Sequence, residues 1–267
     1  MIRLPLWSET FTLFLLFSPL ETVASQTEAP LCFGRPATIS GTSDRDTIIG
    51  TEGDDVIVGF ADRDQIKGMG GDDRICGGPG VDFELEGGSG SDLLAGGEGS
   101  DSLNGREGDD FVMGGPGDDN VTGNAGDDIL RGGTGPDSFY PGRGDDIVRG
   151  GPGNDFSCVN PGSDRLIGGQ AVDWVSFACI PPLAPAVAVD LASGVERLHG
   201  LKRFIGIEAI VGTFGDDVLK GDGSSNRFRS FTGDDVIDGR GGHDRARAGQ
   251  GDDTCIGIEA PVDCEVA

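Results

Sequence analysis

A single apolar residue recurs at every ninth position over long stretches of this chain, and Gly, Asp and Ser fill most positions between. Residues 96–131 show the pattern as four consecutive nonapeptides, GGEGSDSLN, GREGDDFVM, GGPGDDNVT and GNAGDDILR. Gly and Asp are poor helix and strand formers, and one apolar side chain in nine is little material for a core. We interpret each nonapeptide as a turn followed by a short strand, so that two nonapeptides make one coil of about 18 residues.

The apolar residue stands in the eighth place of each nonapeptide, as at Leu103, Val112 and Val121. In a coil of two repeats these side chains point inward and stack on those of the next coil. The sequence therefore predicts an all-β solenoid with a narrow core, built from nine-residue Gly/Asp repeats.

Asp fills the sixth place of the repeat without a break through a main array, which has one residue inserted near the sequence DFELEGG. The sixth-place residues of this array are Asp46, Asp55, Asp64, Asp73, Asp82, Asp92, Asp101, Asp110, Asp119, Asp128, Asp137, Asp146, Asp155, Asp164 and Asp173. A shorter second array keeps the same step at Asp217, Asp235, Asp244 and Asp253, with Asn226 in one slot. The acids in the fifth place, such as Asp118, are interpreted as solvated turn residues.

The segment between the arrays, residues 174–215, has less Gly and alternates Val187, Val189 and Leu191 as a strand does. We interpret it as β structure with wider coils, and a flexible linker is the alternative. The predicted organisation is a signal peptide at 1–25, an N-terminal cap at 26–40, the main array at 41–175, a β-structured spacer at 176–212, and a second array at 213–267.

Composition and charge change the picture in one respect. The chain has 49 Gly and a net charge of −26, which on their own are typical of disorder. The strict period argues against disorder, because a disordered chain has no need of an Asp at every ninth residue. The charge also excludes nucleic acid and anionic membranes as partners, since both would be repelled, and it favours cations.

The first 25 residues, MIRLPLWSETFTLFLLFSPLETVAS, have an early Arg3, a short apolar run and a stretch of small residues. This pattern predicts an export signal that is cleaved after Ala24 or Ser25, and hence a secreted, extracellular protein. A retained membrane anchor is the alternative, but the apolar run is too short to span a bilayer and Pro19 follows it. No membrane insertion is expected.

The chain contains six cysteines and no Cys-x-x-Cys pair, so disulfides are favoured over a zinc site. The pairing that we favour most is Cys255 with Cys264, which would close the C-terminal end of the solenoid, and Cys158 with Cys179 comes next. The sequence LCFGRPATI at residues 31–39 is a candidate cap for the other end.

Stacked turns would bring carbonyl oxygens and Asp carboxylates to one edge, and Ca²⁺ suits such an all-oxygen set better than Mg²⁺. Aspartates 18 residues apart would form four columns, 46/64/82, 55/73, 92/110/128/146/164 and 101/119/137/155/173, with eleven stacked pairs. Each pair at roughly 4.8 Å costs about 0.9 kcal/mol in water and about 3.5 kcal/mol at an effective dielectric of 20. The total of about 10 to 40 kcal/mol equals or exceeds the stability of about 5–15 kcal/mol that a domain typically has. The array is therefore expected to fold only with calcium.

The nonapeptides GGPGDDNVT and GGEGSDSLN match the motif G-G-x-G-x-D-x-U-x, in which U is a large apolar residue. In this the chain resembles the RTX, or haemolysin-type, calcium-binding repeat proteins over nearly everything after about residue 37. The sequences VAVDLASG and GIEAIVGTFGDDVLKGD resemble the spacers between RTX arrays. The resemblance implies a right-handed parallel β-roll that holds several Ca²⁺ ions between its turns, with the sixth-place aspartates as ligands.

No enzyme motif accompanies the repeats. His199 and His243 are the only histidines, and His-Glu-x-x-His, Gly-x-Ser-x-Gly and EF-hand sequences are absent. The leading interpretation is a secreted, monomeric, non-catalytic calcium-binding module with a structural or surface-associated role. A calcium-dependent adhesion or ligand-binding protein, with a cell-surface or glycan partner on an outward face, is the alternative. The seventh-place series Ser102, Phe111, Asn120, Ile129, Ser138, Ile147 is irregular, which argues against such a face. An enzyme that uses scattered Asp pairs is the weakest alternative.

Overall fold

The computed structural model describes residues 29–179, 186–196, 201–262 and 264–266. The predicted signal peptide lies outside these ranges. The regular structure of the described residues is all β, as predicted from the repeats. Within the same ranges, no helix has the length and hydropathy that crossing a membrane requires.

The strands form one small hairpin and two long sheets, which we call the first and second sheet. The hairpin pairs β1 (Leu31–Cys32) with β2 (Arg35–Pro36). The first sheet contains β3 (Ile39–Ser40), β5 (Val56–Val58), β7 (Arg74–Pro79), β9 (Leu93–Glu98), β11 (Phe111–Pro116), β13 (Ile129–Thr134), β15 (Ile147–Pro152), β17 (Arg165–Gln170), β19 (Ala188–Asp190), β20 (Val195–Glu196), β21 (Lys202–Ile205), β23 (Val218–Lys220), β25 (Val236–Asp238), β27 (Thr254–Ile256) and β29 (Glu265–Val266). The second sheet contains β4 (Thr47–Ile49), β6 (Gln65–Gly70), β8 (Glu84–Ser89), β10 (Ser102–Glu107), β12 (Asn120–Ala125), β14 (Ser138–Arg143), β16 (Phe156–Cys158), β18 (Trp174–Ser176), β22 (Ala209–Val211), β24 (Arg227–Thr232), β26 (Arg245–Gln250) and β28 (Ala260–Val262).

Consecutive repeats contribute strands to opposite sheets, so two nonapeptides complete one coil of a parallel solenoid. In the second sheet Leu103 pairs with Val121, and in the first sheet Val112 pairs with Leu130. Both separations are 18 residues, which confirms the predicted coil. The inserted residue is Phe83, which lies between Asp82 and the start of β8, so that Ile66 pairs with Leu85 across 19 residues.

The core of the arrays consists of eighth-place side chains that both sheets project into the space between them. Ile66, Leu85, Leu103, Val121 and Phe139 are each at most 1% exposed. Burial of one such side chain contributes about 1.5–3 kcal/mol, and each six-residue strand of the main array supplies only one of them. The narrow core predicted from the period is thus confirmed. Because the core is so narrow, the backbone hydrogen bonds between strands and the turns must contribute the rest of the stability.

The two arrays share the same pair of sheets. Strand β18 of the main array pairs with β22, where Trp174 is opposite Ala209, across 35 residues instead of 18. In the first sheet, β20 runs antiparallel between β19 and β21. The described part of the spacer is therefore strand structure built into the solenoid.

The outer surfaces of the two sheets differ because alternate repeats supply them. The seventh-place side chains of the second sheet include Ser102, Asn120 and Ser138, whereas those of the first sheet include Phe111, Ile129 and Ile147. The change from one repeat to the next therefore belongs to two surfaces. Each surface also varies along its own row, from Arg74 to Leu93 and Phe111 in the first sheet and from Ser138 to Phe156 in the second.

Three disulfides hold the described chain. Cys255–Cys264 and Cys158–Cys179 confirm the two pairings favoured from the sequence. Cys32–Cys76, which the sequence did not suggest, fastens the β1–β2 hairpin to β7, and Phe33 of the hairpin packs edge-on against Phe111 with ring centroids 6.3 Å apart. A disulfide typically contributes about 2–4 kcal/mol.

Candidate metal centre

The sixth-place aspartates precede the strands and connect successive coils through their carboxylates. The backbone N–H of Asp101 donates to Oδ1 of Asp119 at 2.9 Å, and Asp119 donates in the same way to Asp137 at 2.9 Å. Each carboxylate therefore accepts a hydrogen bond from the Asp of the coil before it. The bond fixes one oxygen of every carboxylate and leaves the other available.

The columns are two, not the four expected from the sequence. Asp73 donates to Asp92 and Asp82 donates to Asp101, both at 2.8 Å, so each column runs straight through the insertion. Phe83 lies after the Asp slot, and the turn that carries Asp82 therefore keeps its place in the stack. The second-sheet column, whose aspartates precede strands of the second sheet, is 46/64/82/101/119/137/155/173. The first-sheet column, whose aspartates precede strands of the first sheet, is 55/73/92/110/128/146/164.

The second carboxylate oxygen, Oδ2, is buried without a hydrogen-bond donor in most of these residues. A buried acceptor without a partner costs about 1–3 kcal/mol, and more when it is charged. The residues concerned are Asp64, Asp73, Asp92, Asp101, Asp110, Asp119, Asp128, Asp137, Asp146, Asp155, Asp173, Asp235, Asp244 and Asp253. So long a row of oxygens without donors is what a row of cation sites requires.

Glycine makes the space beside these oxygens. A Cβ built on Gly114 would lie 2.2 Å from Oδ2 of Asp119, so a side chain there would fill the position next to the lone oxygen. At the fourth place, Gly135 has a φ of +119°, and a Cβ on it would lie 2.0 Å from the carbonyl oxygen of Gly117 in the preceding coil. The turns thus stack backbone on backbone, and their carbonyl oxygens stay uncovered.

Burial raises the pKa of the column carboxylates. It raises the pKa of Asp101 and of Asp110 to about 7, and that of Asp128 to about 8. The hydrogen bond from the preceding coil lowers each pKa and the neighbouring carboxylates of the column raise it, but loss of solvent is the largest cause. The charged form therefore lacks a positive partner within the protein.

One position of the first-sheet column contains a cation that belongs to the chain. Lys202 stands in the slot that Asp occupies in other coils, because Arg203, the next residue, pairs with Arg165, which follows Asp164. Its Nζ lies 2.6 Å from Oδ2 of Asp164 and donates also to the carbonyl oxygen of Gly162. Lys202 and Asp164 are both buried. The ammonium group therefore marks Oδ2 and the fourth-place carbonyl as a pair of oxygens that accept a positive charge.

Two glutamates occupy further positions of the second-sheet column, and neither was predicted from the sequence. Glu208 accepts the N–H of Asp173 at 3.0 Å, and Glu259 accepts that of Asp244. Both belong to the tetrapeptide Gly-Ile-Glu-Ala, at residues 206–209 and 257–260. This repeated tetrapeptide is the signal that could have found them.

Three sixth-place aspartates have a donor to Oδ2 within their own turn. Thr42, Thr51 and Thr213 replace the second-place Gly, and their N–H groups donate to Asp46, Asp55 and Asp217 at 2.6–2.7 Å. These positions open the two arrays. Each carboxylate is therefore partly satisfied by its own turn before any cation is considered.

The fifth-place acids form a separate, exposed ladder. The N–H of Asp127 donates to Asp109, and that of Asp145 donates to Asp127, both at 2.8 Å. These bonds point from each coil to the coil before it, which is opposite to the sixth-place ladder. The exposed positions agree with the interpretation of these acids as solvated turn residues.

The donor set fits Ca²⁺. No three His, Cys, Asp or Glu side chains come together as a metal cluster in the described ranges, so a cation here takes backbone carbonyls among its ligands. Carboxylate and carbonyl oxygens in a flexible arrangement are the ligands that Ca²⁺ accepts. The geometry therefore agrees with the ion expected from the repeats.

Comparison with known proteins gives the same result. The family described as RTX calcium-binding nonapeptide repeat (4 copies) matches residues 40–75, 49–84, 86–121, 122–156, 204–230 and 231–257. No curated protein matches the chain. The family matches cover more than half of the sequence and coincide with both arrays. With its stacked nonapeptides and two columns of aspartate, this chain belongs to the RTX calcium-binding repeat family.

Proposed function

We propose that this protein is a secreted, non-catalytic β-roll that folds when its sixth-place aspartates bind Ca²⁺, and that it serves as a structural or surface-associated module. The observation that carries the proposal is the row of buried Oδ2 atoms without a donor. Membership of a calcium-binding repeat family supports the choice of ion.

The proposed ligands are Oδ2 of the aspartates whose second oxygen lacks a donor, together with fourth-place carbonyls such as that of Gly117. Asp82 is included because it occupies the same slot. Asp46, Asp55 and Asp217 are expected to contribute less, because their own turns already donate to them. At Asp164, the ammonium group of Lys202 supplies the positive charge in place of an ion.

The chain's own groups orient the site. The N–H of each Asp holds the carboxylate of the next coil, and the stacked glycines leave room beside it. Bound Ca²⁺ would supply the positive charge that opposes the repulsion within the columns. The columns contain seven and six successive contacts rather than the eleven counted from sequence, so the repulsive cost is larger than first estimated.

Circular dichroism of the purified chain tests the proposal. We expect a coil-like spectrum in chelator and a β-rich spectrum in millimolar Ca²⁺, with a midpoint of roughly 10⁻⁴–10⁻³ M. Mg²⁺ at equal concentration should have far less effect. The double replacement of Asp119 and Asp137 by Ala should move the midpoint upward, because the two carboxylates are neighbours in one column.

The matched control is Asp118→Ala, which removes an exposed acid from the adjacent position. It should leave the midpoint nearly unchanged. A chain that is already fully β-structured in chelator would contradict calcium-dependent folding. An Asp118→Ala shift as large as that of Asp119→Ala would contradict the ligand assignment.

Secretion is supported by the leader-like first 25 residues and by the disulfides, which persist in oxidising compartments. The N-terminal sequence of the exported protein should begin after Ala24 or Ser25. An intact N-terminus on the extracellular protein would contradict cleavage.

A further inference from the structure

The outer surface of the second sheet has a dense group of arginines in the second array. Arg227 pairs in register with Arg245, and Arg229 with Arg247, on the neighbouring strands β24 and β26. All four side chains are exposed. We call this group the arginine quartet.

The quartet lacks acidic partners. None of its members makes an ion pair within the described ranges, whereas Arg240 nearby pairs with Asp190 at 2.6 Å. Arg229 lies over the ring of Phe231, with its guanidinium carbon 4.5 Å from the centroid. Like charges directly opposite on adjacent strands repel each other. The quartet is therefore expected to bind anions, although the net charge of the whole chain is −26.

Aromatic side chains continue the same surface along the solenoid. Phe156 pairs with Trp174, Trp174 with Ala209, Ala209 with Arg227, and Arg227 with Arg245, in a seventh-place row that continues to Ala260. Phe156 and Trp174 are partly exposed. The row therefore presents flat apolar rings and then, beyond the buried Ala209, guanidinium groups, with one strand spacing of about 4.8 Å per step.

The edge of this surface limits the shape of a partner. Asp216, Asp234 and Asp252 form an exposed ladder in the turns that follow β22, β24 and β26. A broad anionic surface such as a bilayer would meet these carboxylates and be repelled. A narrow anionic chain that lies along the row would meet the arginines and avoid the acids.

We propose that the row from Phe156 to Arg245, together with Arg229 and Arg247 beside it, binds an acidic polysaccharide. Its carboxylate or sulfate groups are held by the quartet, because the planar guanidinium fork matches such oxyanions, and its sugar rings lie against Trp174 and Phe156. A single-stranded nucleic acid also offers flat rings and anions. Its denser charge is repelled more strongly by the acidic body of the protein, so the polysaccharide is favoured.

The test uses the exported chain in saturating Ca²⁺, in which Trp174 is the remaining tryptophan because Trp7 belongs to the proposed signal peptide. Chondroitin sulfate, which has both carboxylate and sulfate groups, should bind and change the Trp174 fluorescence, and neutral dextran should not. Arg227→Gln/Arg245→Gln and Arg229→Gln/Arg247→Gln should each weaken binding at least about tenfold.

The matched control is Arg131→Gln/Arg149→Gln. These arginines are also exposed and paired in register, and Arg131 also lies over a Phe ring, but they are on the first sheet. The control removes the same charge and should leave binding within about twofold of the parent. An equal loss in the control would overturn the assignment of the site.

Other outcomes also decide the matter. Equal or tighter binding of a thymidine oligonucleotide, or of phosphatidylglycerol vesicles, at the same ionic strength would overturn the choice of partner. Binding without any change in Trp174 fluorescence would overturn the aromatic contact. The inference rests on the calcium-folded roll, so the dichroism of every variant is measured in Ca²⁺ and in chelator. Absence of the dichroism response in the parent chain would count against calcium-dependent folding. Loss of saccharide binding in the quartet variants, with that response intact and with binding retained in the control, confirms the quartet.

Discussion

At the scale of single residues, the most informative side chain is Lys202. It stands where other coils have Asp, and its ammonium group lies against Oδ2 of Asp164. Because the pair is buried, each member depends on the other to offset its loss of water. The coil that contains Lys202 therefore needs no metal ion to neutralise Asp164.

Lys202→Met should destabilise the protein even in saturating Ca²⁺. The substitution keeps the length of the side chain but leaves the Asp164 carboxylate buried and alone, which typically costs about 3–5 kcal/mol. Thermal unfolding followed by circular dichroism should show a clearly lower midpoint. The control Lys220→Met changes a lysine at the outward end of β23 and should cost within about 0.5 kcal/mol. Equal midpoints for the two variants would contradict the role given to Lys202.

Two fourth-place glycines should respond differently to the same substitution. Gly135→Ala places a Cβ 2.0 Å from the carbonyl oxygen of Gly117 at a φ of +119°, whereas a Cβ on Gly53 meets nothing within 4 Å. We expect a loss of about 1–3 kcal/mol or more for Gly135→Ala and little change for Gly53→Ala. Calcium titration and thermal unfolding of both variants measure this. Comparable losses would mean that the turns do not stack as described.

At the scale of the coil, the repeated unit tolerates an extra residue only where it stays outside the column and the core. Phe83 meets this condition, since it follows the Asp slot and precedes the strand. The Asp ladder and the inward row therefore both pass through the insertion without a break.

Deletion of Phe83 should be tolerated, because it restores the spacing Asp-x-apolar that the other repeats have. Deletion of Asn120, which occupies the seventh place in a regular coil, should be far more harmful. It would bring Val121 next to Asp119, so that either the core residue or the carboxylate must leave its place. Calcium-dependent dichroism of the two deletion variants distinguishes these outcomes, and equal damage would show that the ladder is not the element that sets the register.

The sequence was sufficient for those features that the period itself determines. The eighth-place core, the 18-residue coil and the stacking of Asp119 on Asp137 all follow from counting. The period alone does not show where in the repeat the inserted residue lies. The columns predicted from the sequence were therefore interrupted at that point. It also could not find Lys202 or Glu208, because the period is lost in the spacer, where a coil spans 35 residues. The two surfaces were confused because consecutive repeats were compared, although only alternate repeats share a sheet.

At the scale of the whole molecule, the raised pKa values predict opposite pH responses with and without calcium. The pKa of Asp128 is raised to about 8 and that of Asp137 to about 7, above the ordinary value of 3.8. A group whose pKa is raised by folding favours the folded state below its ordinary pKa, and this advantage is lost as pH rises through the folded pKa.

In chelator, the β content should therefore increase as the pH falls from about 8 towards about 4. In Ca²⁺ the apparent affinity should instead fall over the same range, because protons compete with the ion for the carboxylates. Dichroism at fixed pH steps, with and without Ca²⁺, measures both trends. Parallel pH curves in the two conditions would contradict this linkage.

The disulfide between Cys32 and Cys76 bears on how the molecule would respond to a pulling force. A coil that peels from the end of the stack frees about 18 residues, or roughly 60 Å of contour length. The disulfide closes a loop of 44 residues at the N-terminal end, so the first coils cannot be drawn out while it is intact. Tension along the chain would thus lengthen the roll stepwise from beyond Cys76. Its N-terminal end would remain a fixed anchorage.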